Sequence, residues 1–200
     1  MKTLRLFYVL SIAILLTGIT FSTAVSADQN YKVNSGSKLW FDGTSTIHDF
    51  TCKATKLKGN VSIEGDLFSA DKSGKLNKVS LVIPVKKITN KDEDLTENMH
   101  EAFNVDDFSN ITFNLIKADL LNVKGDVAKV KAKGNLKISG VTKVVYITLT
   151  IKKKGNALAV TGSTSLKMST YGIEPPSMFF GTVNTADEVK ISFDLTLKQG

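Results

Sequence analysis

The chain's 200 residues, of which 42% are hydrophobic and 22% charged, point to one domain rather than several. Its formal net charge of +7 comes from lysines spread along the chain rather than gathered in blocks, which argues against nucleic acid as a partner. Cys52 is the only cysteine, so an internal disulfide is excluded.

The first residues read as a secretory signal peptide. Lys2 and Arg5 supply a positive start, residues 6–19 are apolar but for Ser11, Thr17 and Gly18, and Val25-Ser26-Ala27 offers small residues for cleavage after Ala27. The apolar run is short of the roughly 18–20 residues that a spanning helix needs. Asp28, not a cysteine, stands directly after the cleavage site, so the reading expects no lipid anchor there. The expectation is a leader over 1–27 that is removed, one domain over 28–200, and export to a periplasm or beyond.

Extended segments follow. Tyr31 to Val33 and Lys38 to Phe41 read as an opening strand pair interrupted at Asn34-Ser35-Gly36, with Asp42-Gly43 as a turn or bulge. Residues 47–58 are extended, and Val61 with Ile63 continues past Gly59. Loops are marked by Gly65-Asp66 and by 71–74. Val79, Leu81, Ile83 and Val85 then alternate with Ser80, Val82 and Pro84. Proline lacks an N–H, so Pro84 calls for an edge or bulge there, and an exposed edge would be open to pairing.

Residues 90–107 break the period of two. Asn90 can cap a helix, Asp92, Glu93 and Asp94 suit its first turn, and Leu95, Met99, Ala102 and Phe103 form a stripe at helical spacing. This predicts one short helix capping the sheet. Strands resume at Ile111, Phe113 and Leu115, and a turn falls within 122–126. Val130, Ala132, Gly134, Leu136 and Ile138 then face one way, while Lys129, Lys131, Lys133, Asn135 and Lys137 face the other. A row of lysines must face water, and the small Ala132 and Gly134 are expected to leave room inside. Beyond Gly140, Val145, Ile147, Leu149 and Ile151 share a face. Leu158 and Val160 lead through Gly162 and Thr164 to Leu166 and Met168. Val189, Ile191, Phe193, Leu195 and Leu197 close the series.

About eight extended segments, short turns and one helix predict an all-β chain folded as an antiparallel barrel. Strands of about ten residues run roughly 33 Å. A closed sheet of this size can hold an apolar ligand, and its length suits an elongated chain.

Four ordered motifs carry a resemblance. They are Gly43-Thr44-Ser45-Thr46-Ile47-His48-Asp49-Phe50; Asn98-Met99-His100-Glu101-Ala102-Phe103 followed by Phe108-Ser109-Asn110-Ile111-Thr112-Phe113; residues 134–143, from Gly134-Asn135-Leu136 to Val141-Thr142-Lys143; and Tyr171-Gly172-Ile173-Glu174-Pro175-Pro176 with Phe180-Gly181-Thr182-Val183. Over residues 31–198 the chain resembles the YceI-like family of periplasmic lipid-binding proteins. The resemblance implies an extended, lipocalin-like antiparallel barrel whose lumen holds a polyisoprenoid tail. The implied ligand is an isoprenoid quinone or polyprenyl lipid, with no catalysis and no cofactor. Ser109-Asn110 stands where the family often has a proline before its Ile-Thr-Phe element.

A lipid carrier needs an apolar lumen with few polar groups at its mouth. Rings and thioethers adapt to a flexible tail. The candidate lipid-binding residues are Trp40, Phe41, Phe50, Met99, Phe103, Phe108, Phe113, Met168, Tyr171, Met178, Phe179 and Phe180. Residues 171–180 are read as a rim loop, since Pro175-Pro176 cannot join a ladder. His48 and His100, with Asp49 and Glu101, could suggest a metal or acid–base site, but neither segment has metal-ligand spacing, and structural or surface roles are the favoured reading. Cys52 is read as a small buried residue. There is no Gly-x-Ser-x-Gly elbow and no phosphate-cradling loop. Three functions stand open. The first is a lipid carrier, with transient contact to anionic membrane surfaces through its lysine-bearing outer face. The second is a structural or partner-binding barrel with a packed core. The third is a lipid-headgroup hydrolase using His48 or His100.

Overall fold

The alternating strands close into a ring. The structure, a computed structural model, describes residues 28–178 and 182–200; the leader reading of 1–27 lies outside them. The strands are β1 (Gln29–Val33), β2 (Lys38–Thr44), β3 (Asp49–Ala54), β4 (Lys58–Glu64), β5 (Lys75–Pro84), β6 (Ile88–Thr89), β7 (Asn110–Lys124), β8 (Val127–Ile138), β9 (Val141–Lys154), β10 (Ala157–Lys167), β11 (Ser177–Met178), β12 (Val183–Asn184) and β13 (Glu188–Gln199). One α-helix, α1 (Glu93–Ala102), lies between β6 and β7. The order β1-β4-β5-β7-β8-β9-β10-β13 returns to β1 and closes an eight-stranded antiparallel barrel.

The opening segments are broken strands sharing positions in this ring. Along β13, Leu197–Gln199 pairs with β1 and Lys190–Asp194 pairs with β2. β2 pairs onward with β3 as β1 does with β4. At the break between β1 and β2, a side chain replaces the missing ladder: the Ser37 hydroxyl donates to the Thr196 carbonyl at 3.3 Å and accepts from the Thr196 N–H at 3.0 Å. Ser37 can therefore be buried without an orphaned polar group.

The two-residue period holds strictly in β8. Ala128, Val130, Ala132, Gly134, Leu136 and Ile138 are buried, and four of the intervening positions are lysines on the outer face. The exposed ring of Tyr146 on β9 lies between two of them, with Lys131 and Lys133 Nζ at 5.6 and 5.7 Å from its centroid. In β7 the register shifts at Leu115/Lys117 and Leu120/Asn122. Each extra residue breaks the alternation, which leaves Ile116 and Leu121 exposed.

Two local expectations are corrected. Pro84 sits on neither a free edge nor a bulge: it is the last residue of β5, paired with Asn110 at the start of β7, where the chain passes into a 3-10 turn over Val85–Lys87. No ladder N–H is needed at that point, and the closed ring offers no edge there for pairing. The helix cap is Asp92 rather than Asn90. Asp92 Oδ1 accepts the Leu95 N–H at 3.1 Å. Asn90 ties the lead-in to the barrel instead, donating from Nδ2 to the Thr51 carbonyl at 2.7 Å and accepting the Asp92 N–H at 2.9 Å. Met99 is buried against Cys52, Ala54, Ile83 and Ile88, with Leu95 and Phe103 packed beside it, so the apolar stripe of α1 covers one end of the barrel.

The other end is plugged. The loop between β4 and β5 turns Leu67 inward, 2% exposed, among Tyr31, Val61, Val130 and Leu195, with Phe68 packed against them. Asp66 Oδ1 accepting the Phe68 N–H at 2.9 Å sets that turn.

Candidate functional site

Between plug and helix the barrel is not filled. A cavity of about 420 Å³ runs through it, within the usual size of small-molecule sites. Every full-length wall strand contributes inward apolar side chains, among them Ile63, Leu81, Phe113, Ile147, Val160 and Leu195. Of its lining residues Ile47, His48, Asp92 and Asp94 are exposed, so the cavity reaches solvent between the β2–β3 loop and the first turns of α1. Ile47, 64% exposed, stands at this mouth.

The motif at 43–50 shapes the rim. The Ser45 hydroxyl donates to the His48 carbonyl at 2.8 Å and accepts the His48 N–H at 3.3 Å, closing a tight loop. Thr46 fastens that loop to β12: its N–H donates to the Asn184 carbonyl at 3.0 Å, and its hydroxyl accepts the Asn184 N–H at 3.2 Å. The hairpin of β11 and β12 pairs Ser177 with Asn184 and Met178 with Val183. Next to it, Asp187 accepts the Ser169 N–H at 2.8 Å and the Ser169 hydroxyl at 2.6 Å. These bonds hold the Asp187 carboxyl below the usual aspartate range.

Seven of the predicted lumen residues line the cavity: Phe41, Phe50, Met99, Phe103, Phe113, Met168 and Tyr171. Trp40 and Phe108 do not. Trp40 lies between Leu39 and Phe41, which both line the cavity, and neighbours on one strand face opposite ways. Phe108 packs instead over Gly140 in the β8–β9 turn, where an added Cβ would come 2.6 Å from its ring. Met178 is placed by its backbone in β11, whereas Phe179 and Phe180 lie outside the described residues. Within the predicted rim loop, Pro176 lines the cavity, but Tyr171 is buried in a 3-10 turn over Met168–Tyr171. An emphasis on rings and thioethers passes over aliphatic lining residues such as Leu39, Leu149 and Leu166, and polar ones such as Asn98 and Thr164. Strand parity marks the aliphatic set, whereas Asn98 carries no comparable signal.

Gly134 does not open space. A Cβ there would overlap the ring of Phe113 and lie 2.8 Å from the Asn114 carbonyl oxygen. The ring of Phe113 fills the place of the missing side chain. Gly43 with Phe50 and Gly162 with Phe193 repeat the pairing. Ala132, by contrast, lines the cavity.

The histidines are apart in role. His100 Nε2 lies 2.9 Å from the Ile88 carbonyl and ties α1 to β6, while His48 is exposed at the rim. Neither imidazole bonds to a hydroxyl or thiol among the described residues. No group of His, Cys, Asp or Glu among them is arranged to hold a metal. Cys52 is fully buried, and desolvation pushes its thiol up to about 11 against a weaker opposing contact from Asn90. Ellman's reagent at pH 8 is therefore expected to release no stoichiometric colour from the folded protein and one equivalent after denaturation. Rapid native-state reaction would show that the thiol is reachable.

Compared with models of known families, residues 31–197 match the YceI-like domain. No curated protein gives a significant match. Among solved structures the fold is similar to that of BcnA from Burkholderia cenocepacia, at 19% identity and TM-score 0.68 over 82% of this chain and 98% of that one. It is similar to a polyisoprenoid-binding domain from Saccharophagus degradans implicated in plant cell wall breakdown, at 17% identity and TM-score 0.66 over 85% and 98%. A YceI protein of Campylobacter jejuni aligns at 14% identity and TM-score 0.58 over 74% and 85%. At these identities the likeness speaks to the fold.

Proposed function

The chain belongs to the YceI-like domain family, and from that premise we propose that it is an exported carrier that holds an isoprenoid-type lipid, a polyprenyl chain or isoprenoid quinone, without transforming it. The observation that carries this reading is the apolar lumen of about 420 Å³, plugged by Leu67 and Phe68 at one end and reaching solvent beside Ile47 at the other. A lumen blind at one end suits a ligand with one apolar tail and one end left near water. Each Å² of apolar surface that leaves water for such a lumen contributes roughly 25 cal/mol. The family membership and the likeness to a polyisoprenoid-binding domain support the ligand class.

A packed structural barrel leaves this lumen unexplained. A hydrolase reading finds no support in His100, which is committed to the Ile88 carbonyl. Export through residues 1–27 belongs to the same proposal, and so does brief contact of the lysine-bearing outer face with anionic membrane surfaces. The test is native mass spectrometry of the protein purified from an exporting bacterium, followed by solvent extraction of whatever co-purifies. A stoichiometric prenyl-lipid mass is expected. An apo mass that also takes up no added isoprenoid quinone would overturn the reading.

A further inference from the structure

We propose that the outer wall formed by β8 and β9, with the bulged strand β7 beside it, is the face on which the barrel docks to an anionic lipid bilayer, lying on its flank rather than on its mouth. This deepens the carrier reading and rests on it for the membrane that is visited; the lumen takes no part in the contact.

The fold gathers positive charge on one wall. Residues 127–154, which are β8, β9 and the turn between them, hold eight lysines and no aspartate or glutamate. Lys129, Lys131, Lys133 and Lys137 stand at outward positions of β8, and Lys152 stands opposite Val127 on the outward side of β9. Lysines at alternate positions are about 7 Å apart along a strand. Among the described residues none of these five ion-pairs with a carboxylate. On β7 the acid is Asp119, opposite Lys131, and it is taken by Lys117 at 2.7 Å. On the other side, β10 carries no acid. Like charges held side by side repel, and an anionic surface relieves them.

Apolar side chains stand among these lysines. Ile116, Leu121, Val144 and Tyr146 are four of the five large hydrophobic residues left exposed among the described residues, and all four lie on the strands that flank β8. In the register Tyr146 is opposite Lys133 and Val144 is opposite Asn135. The Tyr146 ring, with the Lys131 and Lys133 ammonium groups beside it, is 57% exposed. A soluble polyanion would need the lysines alone. A bilayer uses both kinds of side chain: its phosphates take the ammonium groups, while tyrosine and aliphatic groups enter the headgroup boundary beside the lysine stems.

The mouth end is set against such a surface. β8 runs from the plug, where Val130 clusters with Leu67, to the helix end, where Ile138 clusters with Phe103, so its lysine row follows the length of the wall. Residues 92–107, which include α1, hold seven carboxylates and no lysine or arginine. Asp92 and Asp94 stand at the mouth itself. An anionic bilayer repels that end and attracts the wall.

The test is co-sedimentation of the purified exported protein with phosphatidylcholine vesicles, plain or with roughly one-third phosphatidylglycerol, at about 0.1 M salt. Binding to the mixed vesicles alone is expected, with most of it lost at about 0.5 M salt. Lys129→Gln with Lys131→Gln and Lys137→Gln is expected to lower vesicle affinity at least about thirtyfold, since each lysine near such a surface contributes roughly a factor of five. Lys32→Gln with Lys56→Gln and Lys78→Gln removes the same charge from other exposed positions and is expected to cost less than about threefold. Val144→Thr with Tyr146→Thr keeps β-branched residues in the strand and is expected to lower affinity about tenfold while leaving the salt dependence as it was. Equal losses in the two lysine sets would reduce the contact to net charge and overturn the proposal. So would vesicle binding that is indifferent to Val144→Thr with Tyr146→Thr, or retention on immobilised heparin with no vesicle binding, which would mark a soluble-polyanion site. Native mass spectra of the same samples separate this proposal from the carrier reading. Protein that holds a prenyl lipid but ignores vesicles removes the docking face alone, whereas protein that docks but holds and takes up no prenyl lipid removes the carrier reading and keeps the face.

Discussion

Gly134→Val is expected to destabilise the barrel by about 3 kcal/mol, lowering its melting temperature by roughly 6–12 °C. Taken in isolation the change should help, because glycine weakens a strand and valine suits one. The sign reverses because the place of the side chain is taken. A Cβ at 134 overlaps the Phe113 ring and comes within 2.8 Å of the Asn114 carbonyl oxygen, a backbone atom that the β7–β8 ladder holds in place. Phe113 is buried and has little room to retreat. Adding Phe113→Leu to the valine variant should recover part of the loss, giving a coupling of about 1 kcal/mol between contacting sites. Urea denaturation of the four proteins of the cycle measures it. A neutral or stabilising valine would mean that the ring does not occupy that place.

Ala132→Leu, two residues away on the same face of β8, is expected to do the opposite. The fold should hold to within about 1 kcal/mol, while affinity for an isoprenoid ligand falls by at least about tenfold. Ala132 is 2% exposed and lines the cavity, so the longer side chain extends into the lumen rather than into a neighbour. It occupies room that a lipid tail would use. In a packed barrel the same substitution would cost the usual 1–3 kcal/mol of overpacking. Thermal melts together with a quinone titration separate the two cases, and a destabilised variant with unchanged binding would count against a ligand-holding lumen.

The contrast between Gly134 and Ala132 marks the limit of what the strand pattern conveys. Both are small and both face inward, and the pattern assigns the same emptiness to each. Which one is empty depends on register, because Phe113 on β7 lies diagonal to Gly134, and register joins residues distant in sequence. Phe108 gives a parallel case, its ring drawn to Gly140 by the β8–β9 turn. Trp40 is different: its outward position follows from parity with Leu39 and Phe41 and was legible without any tertiary contact.

The capping of α1 shows the same division on a smaller scale. Asn90 and Asp92 are both good caps, and local chemistry ranks them evenly. The barrel decides, because Thr51 on β3 presents a carbonyl to the Asn90 amide and leaves Asp92 to start the helix.

By itself the sequence determined the all-β class, the inward and outward faces of β8, β9, β10 and β13, the apolar stripe of α1 and the family resemblance. These are properties of short-range periodicity and motif order, set by the pleat of a strand and the pitch of a helix. Only the tertiary structure decided how much of the interior stays open, which end is plugged by Leu67, and which polar groups gather at the mouth. Ile47, Asp94, Tyr171 and Thr185 stand far apart along the chain, and it is the closure of β13 onto β1 and β2 that sets them around one cavity.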